Sequence, residues 1–122
     1  MRVINLTPHT VTIKVPGFWY PKSFPPSGKV ARVEATEQDF GSLWLEAEED
    51  QGGINVKIIN RTFRSRDIVN KPEPKPGTIY LVSSIVLEAM NDRKDVFAPD
   101  TGPSAERDKE GHIISVCRLI GN

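Results

Sequence analysis

Strict alternation of apolar and polar residues is the strongest constraint on how this chain folds. Residues 10–15 place Val11, Ile13 and Val15 on one side and Thr10, Thr12 and Lys14 on the other, the period-2 signature of a half-buried strand. Leu43, Leu45 and Ala47 alternate in the same way, Asp50-Gln51-Gly52-Gly53 supplies turn chemistry, and Ile54, Val56 and Ile58 resume the pattern, so this stretch reads as a β-hairpin. Residues 28–35 and 78–82 are further strand candidates behind Pro- or Gly-bearing turns, and 113–120 is a near-continuous apolar run suited to a central strand. One helical pattern stands out, over residues 83–91: Ser83 or Ser84 can cap it, and Val82, Val86 and Met90 recur at i, i+4 spacing. These patterns predict an α+β fold: a β-dominated single domain over residues 1–122, with five to seven mostly antiparallel strands and one or two short helices.

Prolines mark where regular structure stops. Pro21, Pro25 and Pro26 break the segment after the aromatic cluster Phe18-Trp19-Tyr20, and Pro72, Pro74 and Pro76 form an extended connector. Neither tract is long enough to separate domains. No internal repeat, heptad pattern or low-complexity tail is present, which removes solenoid and coiled-coil architectures.

Formal charge is zero, so the global balance argues against long nucleic acid and against an anionic membrane surface as partners. No apolar run approaches the ~20 residues that span a bilayer, and no export signal opens the chain. With one cysteine, Cys117, no disulfide can form within the chain, and the reading is a cytoplasmic protein with Cys117 as a buried small hydrophobe. The zero total conceals two patches. Residues 34–50 hold seven acids and no Lys or Arg, whereas residues 57–71 hold five bases against Asp67 alone. They can meet across the hairpin, or form a cationic pocket beside a self-complementary subunit contact.

Residues 91–111 read as a long connection, and compact domains rarely tolerate one without using it. It sets Arg93, Lys94, Arg107 and Lys109 among acids, with Phe97 between them. Guanidinium forks beside an aromatic ring suit a ligand with phosphates and a flat base. The same composition also describes a solvated loop in which Arg93 pairs with Asp95 or Asp92, Arg107 with Asp108 or Glu106, and Phe97 anchors the loop to the core. A second basic cluster, Arg61, Arg64 and Arg66 beside Asn60 and Phe63, places Arg64 and Arg66 on one strand face.

Catalytic constellations are mostly absent. Two histidines, His9 and His112, and one cysteine give no structural zinc set, and no metal or cofactor is expected. Neither a G-x-G-x-x-G nor a Walker motif occurs. A two-histidine phosphoesterase would need a hydroxyl two residues after each His, where this chain has Val11 and Ile114; the hydroxyls of Thr12 and Ser115 fall on the other side of a strand.

Ile4-Asn5-Leu6-Thr7-Pro8-His9, Pro26-Ser27-Gly28-Lys29-Val30-Ala31-Arg32-Val33, Tyr80-Leu81-Val82-Ser83, and Arg93-Lys94-Asp95-Val96 through Pro99 to Arg107-Asp108-Lys109-Glu110-Gly111 resemble blocks of a family of small proteins encoded by phages, prophages and bacteria. The pattern is also similar to phage sponges of the first Thoeris anti-defence type, which capture cyclic ADP-ribose isomers made by bacterial immune enzymes. The resemblance implies a non-catalytic homo-oligomer in the cytoplasm of the bacterial host, holding a small anionic nucleotide at sites built partly between subunits. In that setting Arg93 and Arg107 are the phosphate candidates, Phe97 the stacking ring, Asp100 and Asn91 the ribose or base-edge partners, and Ser27-Gly28 an amide-rich turn toward the phosphate, with Arg64 on the competing cluster. The alternatives are a phage or prophage protein acting through protein contacts and a small phosphoesterase.

Overall fold

The computed structural model describes residues 1–46, 48 and 52–122. Along the chain run β1 (Arg2–Asn5), β2 (Val11–Ile13), β3 (Lys22–Phe24), β4 (Arg32–Glu46), β5 (Gly53–Val69), β6 (Thr78–Leu81), α1 (Ser84–Ala89), β7 (Val96–Pro99), β8 (Glu106–Arg107), β9 (Ile113–Ser115) and β10 (Leu119–Gly121).

A four-stranded sheet in the order β1-β6-β7-β10 organises the body. Its first three strands are parallel and β10 is antiparallel to β7. Parallel neighbours need a crossover, and α1 supplies it between β6 and β7. The helix forms where the i, i+4 spacing predicts. Ser83 caps it by accepting the Val86 amide, Val86, Leu87 and Ala89 are buried, and the Asn122 side chain donates to the Leu87 and Met90 carbonyls left open at its end. Strand alternation then sorts the sheet residues onto two cores. Tyr80, Val82, Val96 and Ala98 face the α1 side with Val86, Leu87 and Met90; Leu81 faces the other side with Val11 and Val116, where Ile13, Phe24, Phe97 and Leu119 pack against it.

The strand-dominated α+β class agrees with the sequence pattern, but ten strands replace the expected five to seven, and one helix is present among the described residues. Two of the additions, β7 and β8, lie inside residues 91–111, which is therefore no structureless connection. In Val96-Phe97-Ala98-Pro99 the buried positions fall to a valine and an alanine, a pattern too short and too weakly apolar to register as a strand, yet pairing with β6 and β10 makes β7 central. The apolar run 113–120 is not one central strand. It breaks into β9 and β10, with Ile113, Ile114 and Ile120 exposed, and Cys117 is half-buried with its Sγ directed to the Ser104 carbonyl at 3.6 Å.

The expected hairpin is longer than its alternation showed: β4 and β5 pair from Arg32↔Val69 to Glu46↔Gly53 as a two-stranded ribbon. Asp50 and Gln51 of the expected turn lie outside the described residues. The ribbon carries two irregularities, one where Gly41 adopts a φ of 89° between Asp39 and Ser42, and one opposite Arg64, Ser65, Arg66 and Asp67. The acidic and basic patches do meet across it, as Arg61–Glu37 at 2.7 Å and Lys57–Asp39 at 3.8 Å.

Candidate functional site

Asn5, at the end of β1, is buried, and its side chain uses its full hydrogen-bonding capacity. Its Nδ2 donates to the carbonyls of His9 and Phe24, both at 2.8 Å, and its Oδ1 accepts from the Thr7 amide at 2.9 Å and the Thr7 hydroxyl at 2.7 Å. The turn over residues 5–9 thus folds around one amide. The Asn5 carbonyl accepts from Ser27 N, the Leu6 carbonyl from Ala31 N, and Leu6 N donates to the Leu81 carbonyl. Three of the blocks that carry the sequence resemblance therefore meet at one end of the sheet.

The fourth side of this junction is the proline connector. Pro72, Pro74 and Pro76 have no N–H to offer a ladder, and side chains satisfy the connector's carbonyls instead. Arg93 Nη1 donates to Pro72 O at 2.9 Å and the Tyr80 hydroxyl to Glu73 O at 2.6 Å. Asn70, in the left-handed region at a φ of 60°, donates to Val30 O at 3.0 Å and ties the connector to the Ser27-Gly28-Lys29 turn.

Between these walls run two adjoining open-sided concavities of about 390 Å³ and 530 Å³ that share Lys29 and Asn70. Ile4, Leu6 and Tyr80 floor the first, with Ser27, Lys71 and Lys75 on its rim; Gly28, Val30 and Arg32 line the second. Four cations thus face this groove against one acid, Glu73. Lys71 donates to the Ser65 hydroxyl at 2.8 Å, while Lys29, Arg32 and Lys75 form no ion pair among the described residues. Gly28, at a φ of 99°, gives the turn a conformation that L side chains rarely adopt. Concavities of several hundred Å³ with an apolar floor and a cationic rim offer room and charge for a small anionic group.

Of the residues singled out in the sequence, Ser27 and Gly28 line this groove and the others do not. Arg93 makes a bidentate pair with Asp95, both bonds at 2.8 Å, that raises its own pKa and, through those hydrogen bonds first, draws the Asp95 carboxyl below its ordinary range. Arg107, on β8, donates to the carbonyls of Thr101 and Gly111, both at 2.8 Å. Asp100 accepts from Gly102 N and from Arg118, and these two, in that order, lower its pKa. Phe97 is a half-buried core residue whose ring occupies the space a Cβ at Gly121 would take. Asn91 is exposed beyond α1, and Arg64 is exposed in the irregular stretch of β5. The late segment therefore turns the guanidiniums of Arg93 and Arg107 to internal partners.

The groove cations Lys29, Arg32, Lys71 and Lys75 were not legible as a set, because they come from two segments about forty residues apart that the base of the β4–β5 ribbon, at Arg32↔Val69, and the Asn70–Val30 bond bring together. The available signal was a pair of lysines alternating with prolines in Asn70-Lys71-Pro72-Glu73-Pro74-Lys75.

Elsewhere, Asp108, Glu110 and His112 bring ligand atoms within 4.8 Å of one another. All three are exposed, and the turn itself accounts for the grouping, since Asp108 Oδ1 accepts from the amides of Glu110 and His112. The hydroxyls that follow the two histidine positions by three residues meet other side chains: Thr12 meets Ser23 at 2.9 Å and Ser115 meets Glu106 at 3.2 Å. The chain matches no protein-family model, no curated protein and no solved structure.

Proposed function

We propose that this protein is a non-catalytic binder that sequesters a small anionic nucleotide, of the cyclic ADP-ribose class, and so blunts a bacterial anti-phage response. On this reading the ligand's phosphates lie against Lys29, Lys71, Lys75 and the Ser27-Gly28 turn, with Arg32 at the second concavity and the base on the apolar floor. The observation that carries it is the cationic groove in a chain of zero net charge, placed where the blocks of the sequence resemblance converge. Arg93 contributes by holding the connector wall through Pro72 rather than by touching the ligand. No helix among the described residues is long and apolar enough to cross a membrane, and the bacterial cytoplasm, where such a signal is made, is the proposed place of action.

Incubation with cyclic ADP-ribose isomers and cyclic oligonucleotides, followed by removal of free ligand, heat denaturation and chromatography of the supernatant, tests the proposal. Intact nucleotide released only on heating is the expected result. Altered nucleotide would indicate catalysis instead. Replacing Lys29 and Lys75 together by Gln should weaken retention roughly 100-fold, from about 1.5 kcal/mol for each charge-assisted contact. Arg107→Ala, whose guanidinium already faces two carbonyls, should leave retention unchanged.

A second reading, action through protein contacts, draws on Phe18, Trp19 and Tyr20, which are 71%, 91% and 85% exposed in consecutive positions. Absence of retained nucleotide across the panel would favour it.

A further inference from the structure

We infer, on the reading of this groove as the binding site, that it selects a ligand with two anionic groups on either side of a hydroxyl-bearing spacer, one group in each concavity. The groove cations are divided accordingly. Lys71 and Lys75 rim the first concavity, Arg32 lines the second, and Lys29 belongs to both. An anion in the first meets ammonium groups beside Glu73, the one acid there. No acid among the described residues lines the second, and the cross-strand partner of Arg32 is the apolar Val69. Arg61, Arg93, Arg107 and Arg118 each turn their guanidinium to a carboxylate or a carbonyl of the chain, whereas Arg32 forms no ion pair among the described residues.

The backbone beneath Arg32 is fixed. It forms the first rung of the β4–β5 ladder and follows Ala31, which is buried and donates to the Leu6 carbonyl. A guanidinium carried on so anchored a stretch offers two parallel donors to the oxygens of one phosphate or carboxylate. Between the two anion positions stands Asn70, which lines both concavities. The orientation of its amide follows from its partner: the Val30 carbonyl at 3.0 Å requires a donor, so Nδ2 faces it and Oδ1 is left as an acceptor. Among the described residues that oxygen accepts no hydrogen bond, and it suits an O–H of the segment that joins the two anions. A sugar with a phosphate on each side meets all three demands.

Adenosine 3′,5′-bisphosphate carries phosphates on both sides of a ribose, and 5′-AMP and 3′-AMP each lack one of them. Calorimetry on the full chain at about 0.15 M salt, where long-range attraction is screened, should show the bisphosphate binding at least about tenfold tighter than the better monophosphate. Arg32→Gln should bring that ratio below about threefold, while Lys109→Gln, which removes a charge outside the groove, should leave it unchanged. The 2′-deoxy form of the bisphosphate should bind about three- to tenfold more weakly than the ribo form, for want of a hydroxyl facing Asn70. A bisphosphate no tighter than the monophosphates overturns the inference, as does an advantage that survives Arg32→Gln; equal affinity for the ribo and deoxy forms overturns the hydroxyl-bearing spacer. Cyclic nucleotides retained without any bisphosphate preference would leave the binder standing and end the two-anion site. A strong bisphosphate preference dependent on Arg32, with no cyclic nucleotide retained, would support the two-anion site and end the cyclic ligand.

Discussion

Arg93→Ala should destabilise the fold by about 2–3 kcal/mol and weaken nucleotide retention, although Arg93 lines no part of the groove. Its side chain is 15% exposed and that of Asp95 is 23% exposed, so the bidentate pair is largely withdrawn from water and escapes most of the screening that makes surface pairs weak. Removing the guanidinium leaves Asp95 without its counter-charge and the Pro72 carbonyl without its donor, and bonds to charged groups contribute about 1.5–3 kcal/mol each in such settings. The Tyr80–Glu73 bond remains and keeps part of the connector in place, which limits the loss. Retention falls because Lys71 and Lys75 ride on a wall that Arg93 fixes. Denaturant titration checks the first effect and the heat-release assay the second; full stability together with full retention would show that Arg93 braces nothing.

The same pair sets a pH dependence. The folded Asp95 carboxyl binds its proton less readily than it does in the unfolded chain, because the Arg93 hydrogen bonds favour the ionised form. Its contribution is therefore complete above the unfolded value of about 4 and disappears as pH falls through the lower folded value. Asp95→Asn should remove that part of the acid sensitivity, so the variant's stability should change less than the wild type's between neutral pH and pH values below about 4.

What could be read in advance divides along the range of the interactions. The helix was legible because its cap, Ser83, and its buried positions, Val86 and Met90, lie within one local pattern. The strand at Thr78–Leu81 was legible for the same reason. Strand β7 was not, since its burial comes from parallel pairing with β6, whose partner residues lie sixteen positions earlier, and from antiparallel pairing with β10, where Ala98 meets Ile120. The groove belongs to the second kind. Lys29 and Lys75 look like ordinary surface cations until the Asn5 turn, the Ser27 turn and the connector are brought together by single backbone and amide bonds. The arginines of the late segment drew attention through their number. Composition could not show that Arg93 and Arg107 each have carbonyls in reach at 2.8–2.9 Å, a matter of chain path.

That dependence on a few long-range bonds makes Asn5 the most sensitive polar position in the molecule. Asn5→Ala should cost about 3–4 kcal/mol: it leaves the Phe24 carbonyl and the Thr7 amide without their side-chain partner and the His9 carbonyl with the Thr7 hydroxyl at 3.0 Å alone, at about 1–3 kcal/mol for each group that finds no water. Asn5→Asp is the sharper test. Aspartate has the same shape and keeps an acceptor for Thr7, yet at neutral pH it presents an ionised oxygen to two carbonyls where Nδ2 donated at 2.8 Å. Shape conservation predicts a mild change, whereas donor chemistry predicts a loss at least as large as that of alanine, with the turn over residues 5–9 opening and Ser27 losing its fixed position beside Asn5 O. Because the groove is assembled on that turn, nucleotide retention should fall with stability in both variants. An Asn5→Asp chain as stable as the wild type at neutral pH would show that the carbonyls find other donors, and that the junction is held by its apolar neighbours Leu6, Ala31 and Tyr80 instead.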